Sequence, residues 1–262
     1  MRNQTYEKTD ELQNIQNNLL SLLKVFHTYC LENNVKYSLH GGTLLGAIRE
    51  KGFIPWDDDI DITMTRKEYI RFVSSVHEKG LPMGLTLSEQ QPIIKIIMRS
   101  SGNLPVWIDI FVWDYISENI LLQRMKIYGI MFFQVFIRNL ESLKRTKNHA
   151  VYTGLSLFIM KLIVLIGCPF SYDLKLKWMK RFFEMLGGNH TLVHRANDQL
   201  CGISLILPAD IMDSYILVPF EDGEFYVSSK YKQILESTYG KDYMIPQYIE
   251  FNHNDSREDL LK

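Results

Sequence analysis

Near the start of the chain Leu12, Ile15, Leu19, Leu22, Phe26 and Cys30 recur at three- and four-residue intervals, which places them on one face of a helix. Thr9 or Asp10 offers an N-cap and Asn33-Asn34 a stop, so residues 10–33 are predicted to form an amphipathic helix. Residues 35–39 read as a first core strand, Gly41-Gly42 as a turn, and residues 43–50 as a short helix whose first amides would face an anion. After a loop at 51–58 the period changes to two. Ile60, Ile62 and Met64 are apolar, which puts Asp59 and Asp61 together on the opposite face of a strand. Thr65-Arg66-Lys67-Glu68 has the form of a capping box and should start a helix running to about Lys79. Residues 85–88, 93–98 and 106–112 supply further short strands. Beyond Ser117 the pattern turns helical, at 120–140, 151–166 and 172–186, with the basic run Lys144, Arg145 and Lys147 joining the segments. From about Ser214 a small returning element is expected, with a helix that ends near Gly240. The predicted fold class is α+β, a mixed sheet flanked by helices with an additional helical block.

Two carboxylates side by side on a strand repel one another, so a cation between them is expected. Asp57, Asp59, Asp61 and Glu68 also occupy the first, third, fifth and twelfth positions of an EF-hand frame, but Ile62 stands at the sixth, where that loop needs glycine. A solvated acidic turn is the plainer alternative, and the flanking Trp56 and isoleucines argue against it. His40-Gly41-Gly42-Thr43, shortly before, adds a glycine turn of the kind that lets a backbone approach phosphate.

The stretch Tyr37-Ser-Leu-His-Gly-Gly-Thr-Leu-Leu-Gly-Ala-Ile-Arg49, followed by Lys51-Gly-Phe-Ile-Pro-Trp-Asp-Asp-Asp-Ile-Asp-Ile62 and Arg66-Lys-Glu-Tyr69, resembles the core signature of LicD proteins. That family includes bacterial phosphocholine transferases and is related to the fukutin group. Matching segments cover about residues 12–115, with a weaker family-like tail around Val218-Pro219 and Tyr239-Gly-Lys-Asp-Tyr243. The resemblance implies a polymerase-β-like nucleotidyltransferase core, with a Gly-Gly turn, an Asp-hydrophobic-Asp strand and a third Asp on a later strand. Asp109, which interrupts the apolar run 106–113, is the expected third carboxylate, and Asp114 matches a further family Asp.

On this resemblance Asp59, Asp61 and Asp109 are the expected catalytic residues and ligands of Mg²⁺ or Mn²⁺. Asp109 would also accept the acceptor hydroxyl's proton. Gly41, Gly42, Thr43, Arg49, Lys95, Arg99 and Trp56 are the expected substrate-binding residues. Trp56 and Trp107 would either stack on a base or choline group or pack in the core. Asp57 and Asp58 precede the strand and read either as supports of the site or as loop residues, and His40 as a hydrogen-bonded strand-end histidine. The implied reaction moves phosphocholine from CDP-choline to a hydroxyl of a cell-surface glycan (lipopolysaccharide, teichoic acid or capsule) and releases CMP. The alternatives are transfer of a nucleoside monophosphate from a triphosphate to a small hydroxylated acceptor, and a non-catalytic nucleotide- or glycan-binding protein.

Composition narrows the partners. The formal charge is −1, with 29 basic and 30 acidic residues, which argues against nucleic acid as the main partner. Cys30, Cys168 and Cys201 are far apart and odd in number, which suits neither a disulfide framework nor a zinc knuckle. The polar start is expected not to be a signal peptide, so the expected location is the cytoplasm, with peripheral contact at the inner face of the membrane as a further option. Residues 151–170 are almost long enough to span a bilayer, but Lys161 lies mid-run, which favours a buried helix or surface contact. Three regions are expected: a catalytic core at 1–116, a helical block at 117–212 and a returning C-terminal element at 213–262.

Overall fold

The computed structural model describes residues 9–82, 84–89, 93–99, 104–140, 154–185, 187–198 and 202–246. The basic run at 144–147, the expected helical start at 151–153, residue 186 and Cys201 lie outside them. The chain divides into two compact units, residues 1–113 with 207–262, and residues 114–206.

The first unit is α+β. Helix α1 (Asp10–Glu32) starts where the Thr9 hydroxyl accepts a hydrogen bond from the Leu12 amide at 3.2 Å, and it buries Leu12, Ile15, Leu19, Leu22, Leu23 and Phe26. Five strands follow the order β1 (Ser38–Leu39), β2 (Ile60–Thr65), β5 (Val106–Ile116), β4 (Ile94–Met98), β3 (Leu85–Ser88), with β2 and β5 parallel and the other pairs antiparallel. Parallel pairing of β2 with β5 needs a crossover, and α3 (Arg66–Lys79) with the β3–β4 hairpin provides it. Helix α3 begins as its sequence predicts: Thr65 Oγ1 accepts from the Glu68 amide at 3.1 Å. The second half of the capping box does not form, because the Glu68 carboxylate accepts from the Lys36 amide at 2.9 Å and pairs with Arg71. Phe26 lies edge-on to Tyr37 (5.0 Å) and Phe72 (5.9 Å), which joins α1, the start of β1 and α3 in one core.

Helix α2 (Gly41–Arg49) starts two residues before the predicted boundary, so the two glycines are its first turn rather than a separate loop. Residues 207–246 complete this unit. They comprise all but the first residue of β7 (Ile206–Pro208), a 3₁₀ turn (Ala209–Met212), the two-stranded hairpin β8 (Tyr215–Phe220) and β9 (Gly223–Ser228), and helix α7 (Tyr231–Tyr239), which ends at Gly240. The hairpin holds the loop before β2: Glu221 accepts from the Phe53 amide at 2.9 Å, and Phe220 packs on Phe53 at 4.9 Å. Ser38 ties it to the sheet, since its buried hydroxyl accepts from the Ser228 amide at 2.9 Å. Ser38→Ala leaves that buried N–H without an acceptor and is expected to cost about 1–3 kcal/mol in a denaturant melt.

The second unit contains α4 (Ile120–Phe136), α5 (Gly154–Gly167), α6 (Tyr172–Glu184) and β6 (Leu192–Arg195). Its core gathers Ile130, Ile137, Met179, Ala196 and Ile203, and a second cluster places Val135 against Met160 and Val164. Two of its buried polar side chains pair within the unit: Lys126 Nζ donates to the Tyr115 carbonyl at 2.8 Å and Gln134 Nε2 to the Asp198 carbonyl at 2.7 Å.

Candidate active site

Strand register brings the acidic residues together. Asp61 on β2 is directly opposite Asp109 on β5, and Asp109 is directly opposite Lys95 on β4, so three charged side chains stand in a row across one face of the sheet. Asp59, two residues before Asp61, shares that face. Carboxylate oxygens of Asp59, Asp61 and Asp109 all lie within 4.8 Å of one another. Asp59 and Asp61 are half-buried and Asp109 is buried, so water screens their repulsion only in part.

Asp109 is held on both oxygens. Lys95 Nζ donates to Oδ1 at 2.7 Å and the Trp107 indole N–H to Oδ2 at 3.2 Å. The Lys95 ammonium also lies over the Trp107 ring, 4.3 Å from its centroid. Trp107 is therefore a buried support for Asp109 and Lys95, not a platform open to a ligand. The shared odd parity of Trp107 and Asp109 on one strand was the sequence signal for this contact. Its partner Lys95 depended on a register that sequence does not show.

The N-terminus of α2 adjoins the carboxylates. The His40 amide donates to the Asp61 carbonyl and the Asp61 amide to Thr43 Oγ1, both at 2.9 Å, which ties the start of the helix to β2. Gly41 has φ +54°, and a Cβ there would lie 2.3 Å from Asp61 Oδ2; a Cβ on Gly42 would lie 2.7 Å from Asp57 Oδ2. Absence of side chains at both positions thus makes room for two carboxylates at a helix end that has no acidic residue of its own in the first turn. The positive end of the helix dipole favours negative charge there.

The other expected residues fall in different places. Thr43 is buried and supports the Asp61 backbone. Arg49 closes the opposite end of α2, about 12 Å from its start at 1.5 Å per residue, and pairs with Glu50 while donating to the Tyr243 carbonyl at 3.2 Å. Arg99 follows β4 and is exposed, four residues or about 13 Å along the chain from Lys95. Arg49 is thus held at the end of α2 away from Gly41, whereas strand register brings Lys95 to Asp109. Trp56 is half-buried in the turn before Asp57, and Asp58 is buried. His40 is buried with its ring against Phe111 (5.6 Å) and Trp113 (5.9 Å). Asp114 lies five residues beyond Asp109, an odd spacing that turns it to the other face of β5.

Residues 34–128, from the approach to β1 into α4, match the family described as LicD/FKTN/FKRP, nucleotidyltransferase domain. The chain is 29% identical over 244 residues to the lipopolysaccharide cholinephosphotransferase LicD of Haemophilus influenzae, covering 86% of this chain and 88% of that protein. Shorter stretches match uncharacterized proteins of Rickettsia typhi (46% identity over 54 residues, 21% of this chain and 18% of that protein) and Rickettsia prowazekii (45% over 73 residues, 28% and 27%). The carboxylate cluster lies within the segment that matches the LicD/FKTN/FKRP nucleotidyltransferase domain.

Proposed function

We propose that this chain is a transferase that moves phosphocholine from CDP-choline to a hydroxyl of a cell-surface glycan, lipopolysaccharide in the first instance, and releases CMP. The observation that carries this reading is the gathering of Asp59, Asp61 and Asp109 on one sheet face of a chain related to a cholinephosphotransferase. Three carboxylates with only oxygen donors, close enough to repel, fit a hard divalent cation such as Mg²⁺ or Mn²⁺. Asp59, Asp61 and Asp109 would hold it. Bound there, it would neutralise charge on the donor diphosphate and on the departing CMP.

The chain's own residues supply the rest. The acceptor oxygen attacks the phosphorus that bears choline, the bond from that phosphorus to the CMP oxygen breaks, and the acceptor's proton passes to Asp109. Lys95, beside Asp109, offers a positive charge to the donor's phosphates, and the first amides of α2 offer N–H groups to the same anion. Trp56, half-buried next to Asp57, would meet the base or the choline group.

The test is a donor panel of CDP-choline, CDP-ethanolamine, CDP-glycerol, CDP-ribitol, CTP and ATP, each with Mg²⁺ and with chelator. Metal-dependent CMP release from CDP-choline supports the proposal, and release from another CDP-alcohol alone corrects the donor. A second reading has support in the family's description as a nucleotidyltransferase domain: transfer of a nucleoside monophosphate from a triphosphate by the same carboxylates. Pyrophosphate release from CTP or ATP, with no CMP from any CDP-alcohol, would favour it.

Lys95→Met separates two uses of that lysine. Removing the ammonium leaves the carboxylates with more uncompensated charge, so the metal-free protein is expected to melt lower and Mg²⁺ to bind more tightly. If Lys95 also grips donor phosphate, the KM for CDP-choline rises in the same variant.

A further inference from the structure

Helix α5 carries large apolar side chains on its outer face as well as its inner one. Met160, Val164 and Gly167 are buried in the second unit, while Leu155 (70% exposed), Phe158, Ile159, Leu162, Leu165 and Ile166 (61% exposed) face solvent. Their spacing places all six within an arc of about 120° at 100° per residue, a single stripe running the length of the helix. At 14 residues α5 is about 21 Å long, short of the roughly 30 Å of a bilayer's hydrocarbon core. Among the described residues no single helix is long and apolar enough to cross a membrane, and α5 and α6 are bent 112° apart.

The charges beside the stripe have one dominant sign. Lys161 flanks it on α5, and α6 exposes Lys177, Lys180 and Arg181 against Asp173. Aromatic side chains lie at the bend: Phe170 packs on Trp178 at 5.1 Å, and both are partly exposed along with Tyr172. An apolar stripe, aromatic residues with polar edges and a basic flank match the boundary between acyl chains and anionic headgroups. A second copy of this chain on the same face would bring two basic rims together, which disfavours self-association there.

We propose that α5 and the start of α6 form an interfacial contact with an anionic lipid surface, the α5 stripe entering the acyl boundary while Lys161, Lys177, Lys180 and Arg181 meet phosphate headgroups. The contact stands independently of the donor and reaction proposed above.

Flotation of the full chain with phosphatidylcholine vesicles, with and without phosphatidylglycerol, tests it at low and high salt. The expected result is flotation with the anionic vesicles that weakens as salt rises. Phe158→Ser combined with Leu162→Ser and Ile166→Ser should reduce binding at least tenfold. Lys177→Gln and Lys180→Gln should each reduce it by about fivefold. These positions are exposed, so CMP release from a soluble donor and the melting temperature are expected to hold, separating failure of this contact from failure of the catalytic reading. Wild-type protein that stays at the bottom of the gradient, or a stripe variant that floats as well as wild type, overturns the proposal. A wild-type dimer that the stripe changes dissociate, without flotation, would assign the face to a second copy and overturn it as well.

Discussion

Asp59→Asn is expected to lower the rate of phosphocholine transfer by on the order of 10³-fold, equivalent to about 4 kcal/mol of transition-state stabilisation. The same change is expected to leave the metal-free protein's melting temperature unchanged or slightly raised. Both effects follow from the crowding of three carboxylates within 4.8 Å. Without a cation they repel, and an amide in place of one removes part of that repulsion at nearly constant shape. With Mg²⁺ present the order reverses: wild type gains stability by ligand linkage, and the variant gains less. Thermal melts with Mg²⁺ and with chelator, alongside transfer rates, check the pair of signs. A variant that lost stability in chelator and kept its rate would assign Asp59 a structural role.

Gly41→Ala is expected to cost about 10²-fold in rate and to destabilise the protein. Two causes act together. The φ of +54° is a left-handed conformation that costs an L-residue about 1–2 kcal/mol. The new methyl would also lie 2.3 Å from Asp61 Oδ2, so the carboxylate must move. A shift of about 1 Å in a reacting geometry is enough for a loss of this size. Gly42→Ala provides the comparison, because its φ is ordinary and its methyl would meet Asp57, outside the three-carboxylate set, at 2.7 Å. The expected order of activity is wild type, then Gly42→Ala, then Gly41→Ala, measured as kcat/KM with chemical melts to separate folding from chemistry. Equal effects at the two glycines would mean that Asp61 has no special place in the reaction.

Much of this arrangement was legible in the chain because local patterns and global contacts agree. The two-residue alternation of Ile60, Ile62 and Met64 with Asp59 and Asp61 fixes both a strand and the face of its carboxylates, and the α1 and α3 caps hold at Thr9 and Thr65. What failed depends on tertiary pairing. The first strand shrinks from the predicted 35–39 to Ser38–Leu39, because its pairing with β2 begins only at Ser38 opposite Thr63. Hairpin β8–β9 was readable only as an undefined returning element. Its Asp222-Gly223 turn signal is offset by Pro219, which an edge strand tolerates. The Lys95–Asp109 pair follows from the antiparallel register of β4 on β5, a tertiary pairing that local sequence patterns do not fix. Arg49 shows the converse: it closes the end of α2 away from the glycines, where it pairs with Glu50 and donates to the Tyr243 carbonyl.

Phosphocholine transfer is tested by the fate of the two phosphorus atoms of CDP-choline, labelled separately and incubated with the protein, lipopolysaccharide lacking phosphocholine, and either Mg²⁺ or chelator. The choline-bearing phosphorus is expected on the glycan and the other in free CMP, only with the metal and not in Asp59→Asn. Label from the nucleotide phosphorus on the acceptor, or transfer that proceeds unchanged in chelator, would contradict it.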